Sequence, residues 1–401
     1  MFERIEMAPP DAILGLTESF KNDPRPEKVN LGVGIYKDAN NNTPVFASVK
    51  TAEERLLAHE KSKSYLPISG DPAYGQAVRE VVFGNGHEII ASKRAVTVHS
   101  PGGTGALRVG GDFLKRLQLA SRVLARRIWV STPTWENHSA VFKSAGLEVA
   151  NYPYYDAATK GLAFSEMLGA LEKAPACEVV LFHACCHNPT GIDPTPDQWR
   201  QLAQLTGRAG FLPFFDFAYQ GLGDGLEQDA AGLRQFCTAG CEMLVASSFS
   251  KNFGLYNERV GALTLVAADA DAAQRAFSQL KVCVRTNYSN PPSHGGAVVT
   301  TILHDAGLRD LWQGEVRQMC DRINRMRSLF VETLRSLGVK QDFSFIARQK
   351  GMFSYSGLTA GQVDALRERY GIYIVRSGRI NVAALTQDNM DTVCRAIAAV
   401  L

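Results

Sequence analysis

Met243-Leu244-Val245-Ala246-Ser247-Ser248-Phe249-Ser250-Lys251-Asn252-Phe253-Gly254-Leu255-Tyr256-Asn257-Glu258-Arg259-Val260-Gly261 (residues 243–261) starts as an apolar β-like run and ends at the mouth of another. Lys251 follows the first run, with serines close before it and Arg259 eight residues after it. Desolvation at a strand end and nearby positive charge both disfavour an ammonium, so a lysine placed here loses its proton more readily than one in water. A neutral lysine amine forms Schiff bases with carbonyl compounds. A lone lysine in a polar loop is usually a solvated surface residue; the flanking pattern argues against that reading here.

Working outward, short apolar runs alternate with amphipathic helical stretches. Ala95–His99, Arg127–Ser131, Leu147–Tyr152, Val179–His183, Phe211–Asp216, Leu244–Ser248 and Gly261–Val266 read as strands. Gly105–Arg116, Asn137–Ala145 and Thr195–Arg208 are helical patterns between them. That alternation predicts an α/β fold built on a largely parallel sheet flanked by helices. Ligands of such sheets bind at the carboxyl ends of the strands. The last ninety or so residues differ: a long helix over Leu308–Leu337, the segment Gly351–Tyr355, a helix over Thr359–Tyr370, then Ile372–Val375 and a C-terminal helix. They read as a smaller α+β domain. Val29–Ile35 is a strand pattern with no local partner, so the N-terminal segment is expected to join it. The expected division is 1–43 (N-terminal arm and part of the small domain), 44–310 (large domain) and 311–401 (small domain).

A chain of 401 residues is too long for one ordinary core and suggests about two domains at ~150 residues each. Lysine and arginine number 43 against 40 acidic residues, a net charge of +3. That balance gives no footprint for nucleic acid and no polybasic face for a membrane. No basic-then-apolar leader opens the chain, and no run approaches the ~18–20 apolar residues of a spanning helix, so the expected location is the cytoplasm. Cys177, Cys185, Cys186, Cys237, Cys241, Cys283, Cys320 and Cys394 are scattered without a paired framework and read as buried thiols of a reducing compartment.

Several strand ends carry polar groups. Ala95–His99 runs into Ser100-Pro101-Gly102-Gly103-Thr104-Gly105, where glycines before a helix let backbone N–H groups face an anion; a plain tight turn is the competing reading. His183-Ala184-Cys185-Cys186-His187 invites a metal, but side chains on a strand alternate faces and no second Cys/His cluster has ligand spacing, so no metal is expected. In the following Asn188-Pro189-Thr190-Gly191, Asn188 can hydrogen-bond a ligand. Asp216 closes the apolar run Phe211–Phe215 and needs a partner, because an unpaired buried carboxylate is costly; a protonated ring nitrogen suits it, though an aspartate capping a turn is common. Tyr219 can offer its hydroxyl to the same ligand. Arg259 suits a phosphate, and Arg285 and Arg379 suit carboxylates, whose geometry a guanidinium matches with two parallel bonds. Arg322, Arg325 and Arg327 read as solvated surface residues.

The order of Gly-rich turn, Asn-Pro-x-Gly, Asp-x-x-Tyr, Ser-x-Lys and late arginine resembles the class I pyridoxal-phosphate aminotransferases, most of all the aspartate/aromatic subgroup. The resemblance runs end to end, from the opening MFE and DAILGL through VNLGVGIYKD to SGRINVA, and SSFSKNFGLYNERVG matches the cofactor-lysine motif without a gap. It implies fold type I, with a mostly parallel seven-stranded sheet in the large domain. It implies that Lys251 carries pyridoxal 5'-phosphate as a Schiff base and shuttles the proton, and that Asp216 keeps the pyridine nitrogen protonated. Tyr219 and Asn188 would bond the phenolic oxygen, His138 would support Asp216, and Trp135 would stack on the ring. Gly103, Thr104, Ser248 and Arg259 would bind the phosphate, with Tyr65 reaching it from a neighbouring subunit. Arg379, with the Gly34 backbone nearby, would clamp the substrate α-carboxylate. Arg285 of the neighbour would bind the distal carboxylate, which makes a two-fold dimer obligatory.

The implied reaction is ping-pong transamination between L-aspartate and 2-oxoglutarate. Arg285 argues for aspartate, but enzymes of the aromatic subgroup keep that arginine, and Ser64-Tyr65-Leu66-Pro67 and Gly351-Met352-Phe353-Ser354-Tyr355 look somewhat closer to that type, so a tyrosine/phenylalanine or dual-specificity enzyme is the alternative. Decarboxylation or β-elimination on the same cofactor is a more distant reading. A non-catalytic module with this fold is a further one, against which Lys251, Asp216, Arg259 and Arg379 stand together.

Overall fold

The computed structural model describes residues 2–7, 12–121 and 127–401; Met1 and Asp11 of the opening motifs lie outside them. Two compact units divide the chain: Pro44–Asp321, and Met1–Thr43 together with Arg322–Leu401.

The first unit is organised by seven strands: β1 (Ala95–Pro101), β2 (Arg127–Thr132), β3 (Glu148–Pro153), β4 (Val179–His183), β5 (Leu212–Phe217), β6 (Met243–Ser248) and β7 (Val260–Val266). Their order is β1-β7-β6-β5-β4-β2-β3. Strands β2 to β6 pair in parallel, and β7 runs antiparallel to both β1 and β6. Every residue of β4, β6 and β7 is buried, which is why these strands read as continuous apolar runs rather than alternating ones. Helix α1 (Gly102–Ser121) lays Leu107, Val109, Phe113 and Leu114 on Val98, Phe214, Leu244 and Leu263 of the sheet. Helix α2 (His138–Ser144) adds Val141 and Phe142 to the same core. The start of helix α3 (Pro196–Ala209) is set locally: Thr195 and Gln198 form a capping box, Pro196 takes the first turn, and Gly210 ends the helix at φ 74°.

The sequence reading places all seven strands within two residues of where they occur. Helix α1 begins three residues earlier than expected, at Gly102, so Gly102, Gly103 and Thr104 form its first turn. This shift matters because it turns a presumed loop into a helix N-terminus, whose first amides have no partner within the helix.

In the second unit, Val29–Asn30 pairs in parallel with Ile372–Tyr373, and Phe353–Tyr355 pairs antiparallel with Arg379–Asn381. Leu31, Phe330, Leu334, Ile346, Val363, Leu366, Ile380, Val393 and Ile397 form its core. Val29–Ile35 does not continue as a strand. Beyond Leu31 its carbonyls are taken by side chains instead: Arg379 Nη2 donates to Gly32 (2.7 Å), and Asn381 Nδ2 donates to Val33 (2.6 Å) and Ile35 (2.8 Å).

Two arginines are not surface residues. Arg327 is 1% exposed, and its guanidinium donates to Ser354 Oγ and the Gly351 carbonyl. Arg322 is buried too, donating to the carbonyls of Leu385 (2.8 Å) and Asp38 (3.1 Å) and lying over Tyr36. Only Arg325 of the three is exposed. A guanidinium tolerates burial when carbonyls satisfy its fork of donors, and those carbonyls come from segments remote in sequence.

Candidate active site

The carboxyl ends of β1, β4, β5 and β6 gather the polar residues of the large unit. Lys251 sits in the turn after β6, half-buried, with Nζ 4.8 Å from the centre of the Tyr219 ring. Its pKa falls from 10.5 to about 8. Burial is the main cause, Arg259 adds to it, and the Asp216 carboxylate opposes both. The amine is therefore far richer in its nucleophilic form than an exposed lysine's.

Asp216, near the end of β5, is buried and in register with His183 on β4 and Ala246 on β6. His138 Nε2 donates to Asp216 Oδ2 (3.1 Å), and Thr134 Oγ1 meets His138 Nδ1 (2.7 Å). Since a carboxylate only accepts, this pair fixes the proton on Nε2. Burial works against ionisation of Asp216, but the His138 bond and the Lys251 ammonium outweigh it and hold the group below the usual carboxylate range. His183 packs 5.2 Å from the His138 ring and, with its pKa pulled down to about 3 by burial, is neutral. Asn188 Nδ2 donates to the Tyr219 hydroxyl (3.4 Å), and both residues are buried. Trp135 meets the His138 ring edge-on, with centroids 5.2 Å apart.

Opposite Asp216 in chemical character is an anion cradle. The first turn of α1 carries no acidic residue, and its leading amides belong to Gly102, Gly103 and Thr104. A Cβ built at Gly102 would lie 2.4 Å from Arg259 Nη2, and one at Gly103 would lie 3.0 Å from Ser248 Cβ. The guanidinium and the hydroxyl therefore press directly on the helix start. Arg259 Nη1 donates to Ser250 Oγ (3.3 Å), whose hydroxyl is 3.2 Å from Ser248 Oγ. Gly261 keeps the strands close here: a Cβ on it would stand 2.4 Å from the Gly102 carbonyl carbon.

A buried anionic carboxylate, a lysine of lowered pKa and a helix-start cradle with a guanidinium suit a cofactor that is cationic at a ring nitrogen, carries an aldehyde and ends in a phosphate. Among the described residues no side chain bonds Asp216 Oδ1, so that oxygen is open to such a ring nitrogen.

Of the residues picked from sequence, Lys251, Asp216, Tyr219, Asn188, His138, Trp135, Gly103, Thr104, Ser248 and Arg259 thus lie in one unit at these strand ends. Arg379 and Gly34 belong to the other unit. There Arg379 is buried, its guanidinium 4.3 Å over the Phe353 ring, and a Cβ on Gly34 would meet Phe353 Cζ at 2.9 Å. Tyr65 is 92% exposed, and Arg285, at the end of helix α4 (Ala270–Asn287), is exposed and donates to Ser289 Oγ. Neither of these two is hydrogen-bonded to the Lys251 group. The sequence reading gives Thr134 and Ser250 no role. The Ser-x-Ser-Lys spacing was the available signal for Ser250, whereas His183 was read only for metal. The run His183–His187 splits in space: His183 turns to His138 and Asp216, His187 to Ser131 and Thr190, and the cysteines to Asp229. Among the described residues no helix is long and apolar enough to cross a membrane.

Residues 26–397 match the family "Aminotransferase class I and II". The aspartate aminotransferase of Escherichia coli (strain K12) is 57% identical over 100% of both chains, and the aromatic-amino-acid aminotransferase of the same organism is 46% identical over 100% of both. The crystal structure of an aromatic-amino-acid aminotransferase from Burkholderia pseudomallei covalently bound to pyridoxal phosphate superposes with a TM-score of 0.96 at 49% identity, covering 100% of this chain and 99% of that one. With a lysine, an aspartate and an anion cradle assembled on this sheet, and with relatives alike along their whole length, the chain belongs to the class I and II aminotransferases.

Proposed function

We propose that the chain is a pyridoxal 5'-phosphate-dependent transaminase that moves the amino group of L-aspartate to 2-oxoglutarate, giving oxaloacetate and L-glutamate. The observation that carries this reading is Lys251, half-buried, with its pKa at about 8, between Asp216 and Arg259. The 57% identity to an aspartate aminotransferase favours aspartate over the aromatic donors, which remain the second reading because aromatic enzymes are similar at 46–49%.

When bound, pyridoxal phosphate supplies an aldehyde for the amino group and a protonated ring that draws electrons from the substrate's α carbon. The cradle of Gly103 and Thr104 amides, Ser248, Ser250 and Arg259 would hold the phosphate, and Lys251 would hold the cofactor covalently. Asp216, kept ionised by His138, would keep the ring nitrogen protonated. Tyr219 and Asn188 would bond the phenolic oxygen, and Trp135 would cover the ring. Lys251 Nζ, uncharged in a large fraction at its lowered pKa, would move the proton at the substrate α carbon. Arg379 would bind the α-carboxylate, its plane fixed by Phe353 and the Gly32 carbonyl. The partner subunit's Arg285 would take the distal carboxylate and the partner subunit's Tyr65 the phosphate, so the working form is a homodimer acting in the cytoplasm.

Mixing the enzyme with aspartate and 2-oxoglutarate should yield oxaloacetate and glutamate in equal amounts. Release of carbon dioxide or ammonia instead overturns the reading. A kcat/KM for tyrosine or phenylalanine exceeding that for aspartate transfers it to the aromatic alternative.

A further inference from the structure

Cys185 and Cys186 follow β4 and are both buried. Cys186 takes a left-handed backbone conformation, φ 51°. Together they turn toward a residue far along the chain. The two Sγ atoms and a carboxylate oxygen of Asp229 all lie within 4.8 Å of one another. Asp229 is itself buried, in the first turn of the helix Leu226–Thr238. Its Oδ2 accepts the amides of Gly221 (2.8 Å) and Gly223 (2.9 Å), and its Oδ1 accepts that of Asp224 (2.8 Å). No ion pair with lysine, arginine or histidine reaches Asp229 among the described residues. A second carboxylate, Asp193, stands behind the cysteines and accepts the amides of Cys186 (2.7 Å) and His187 (2.9 Å).

The trio is buried but lies close to a cleft. Gly223 separates it from a cleft: a Cβ on Gly223 would lie 2.7 Å from Asp229 Oδ1 and 3.1 Å from Cys186 Sγ. The Gly223 carbonyl accepts Cys320 Sγ (3.2 Å), and Cys320 lines a cleft of about 580 Å³ together with Gly221, Asp224 and Gly225. That cleft therefore borders the segment 221–225, whose amides bond Asp229.

We propose that Cys185, Cys186 and Asp229 form a binding site for a soft or borderline divalent metal ion of the zinc and cadmium class. Two thiolates select such ions over magnesium or calcium. Metal–sulfur bonds of about 2.3 Å and metal–oxygen bonds of about 2.0 Å place tetrahedral ligand atoms roughly 3.5–4 Å apart, so the trio closes on an ion with side-chain adjustment alone. On binding, two S–H bonds break and two sulfur–metal bonds form. Two protons leave to solvent, and Asp229 Oδ1 adds through its remaining lone pair, with no change of oxidation state. A fourth donor such as a water molecule would complete tetrahedral coordination. The site shares no residue with the Lys251 constellation, although Cys186 Sγ is 3.9 Å from the Tyr219 carbonyl, so an ion held there bears on the backbone that carries Tyr219.

The test is a titration of the reduced, full-length holoenzyme, freed of unbound cofactor, with cadmium ion. It is followed by the ultraviolet thiolate-to-cadmium absorption and by equilibrium dialysis. One ion per chain should bind, with the absorption saturating at one equivalent. Cys185→Ser and Cys186→Ser should each weaken binding by more than the roughly 10–100-fold that loss of an outer partner costs. Asp229→Asn should weaken it while leaving the saturated absorption unchanged. Cys177→Ser and Cys237→Ser, at the half-buried thiols, should bind as the parent does. Absence of the absorption at one equivalent, or its survival in both Cys185→Ser and Cys186→Ser, overturns the proposal; unchanged affinity in Asp229→Asn removes the carboxylate from it.

Discussion

The depressed pKa of Lys251 can be measured without any turnover. A fall from 10.5 to about 8 raises the uncharged fraction at pH 7 from about one in three thousand to about one in ten, roughly 300-fold. The perturbation is pH, and the assay is competitive trace acetylation of the cofactor-free protein. Lys251 labelling is read by peptide mass and divided by that of a free lysine derivative in the same tube, which cancels the reagent's own pH response. Because the free amine goes on deprotonating up to about pH 10.5, the ratio should stay level below about pH 8 and fall about tenfold per unit above it. The causes can then be separated by sign. Asp216 raises the Lys251 pKa and Arg259 lowers it, so Asp216→Asn should move the midpoint down and Arg259→Met should move it up. A midpoint near that of free lysine refutes burial as the dominant cause. Shifts of the wrong sign in the two variants refute the placement of the charges around Nζ.

Gly261→Ala puts a Cβ 2.4 Å from the Gly102 backbone, where no flexible side chain can yield; thermal unfolding should show a loss of about 1–3 kcal/mol or more, with weaker cofactor retention by absorbance. Arg259→Ala removes the guanidinium from the helix start and should raise the cofactor Kd by the equivalent of about 2–5 kcal/mol, while Arg259→Lys restores only part; equal Kd values for parent and alanine variant would remove Arg259 from the cradle. Arg285→Ala should cost about 3–5 kcal/mol, two to four decades of kcat/KM, on aspartate and far less on phenylalanine or tyrosine; equal losses contradict a distal-carboxylate role. Lys251→Ala and Arg285→Ala subunits, each nearly inactive alone on aspartate, should regain about a quarter of parental activity after random re-association, because half the dimers are mixed and each mixed dimer owns one intact shared site. No recovery would place both residues in one subunit's site.

The strands were legible because burial on both faces leaves little but apolar residues in them: β4 and β7 are buried throughout, and their ends are marked by the first polar residues. Helix α3 was legible from Thr195, Pro196 and Gln198, whose capping is local. What the sequence concealed was set by distant partners. Val29–Ile35 has strand composition, yet past Leu31 its carbonyls go to Arg379 and Asn381 rather than to a neighbouring strand. Arg322 and Arg327 are buried because carbonyls from far-off segments surround them. Asp229 looks like any acidic residue opening a helix until the fold seats it beside Cys185 and Cys186. Arg285 and Tyr65 stand exposed in the single chain, so their proposed roles rest on a second subunit that no intrachain pattern reveals.

The antiparallel strand β7 explains why Arg259 can serve this site at all. Asp216 and Lys251 sit at or just beyond the carboxyl ends of parallel strands β5 and β6, and the Gly102 helix start follows the carboxyl end of β1. A residue preceding a parallel strand would lie at the opposite edge of the sheet. Arg259 precedes β7, but β7 runs against its neighbours, with Gly261 opposite both Ser100 and Ser248. Its amino end therefore falls beside the carboxyl ends of β1 and β6. Arg259 itself takes φ 55°, a left-handed turn that an ordinary side chain adopts at a cost of order 1 kcal/mol, and the turn delivers the guanidinium onto Gly102. The glycine at 102 leaves room for that guanidinium, and the glycine at 261 lets the β7 backbone approach close enough to place it. Topology, one strained turn and two missing side chains together put a positive charge where an anion would meet the helix start, close enough to Lys251 to help lower its pKa.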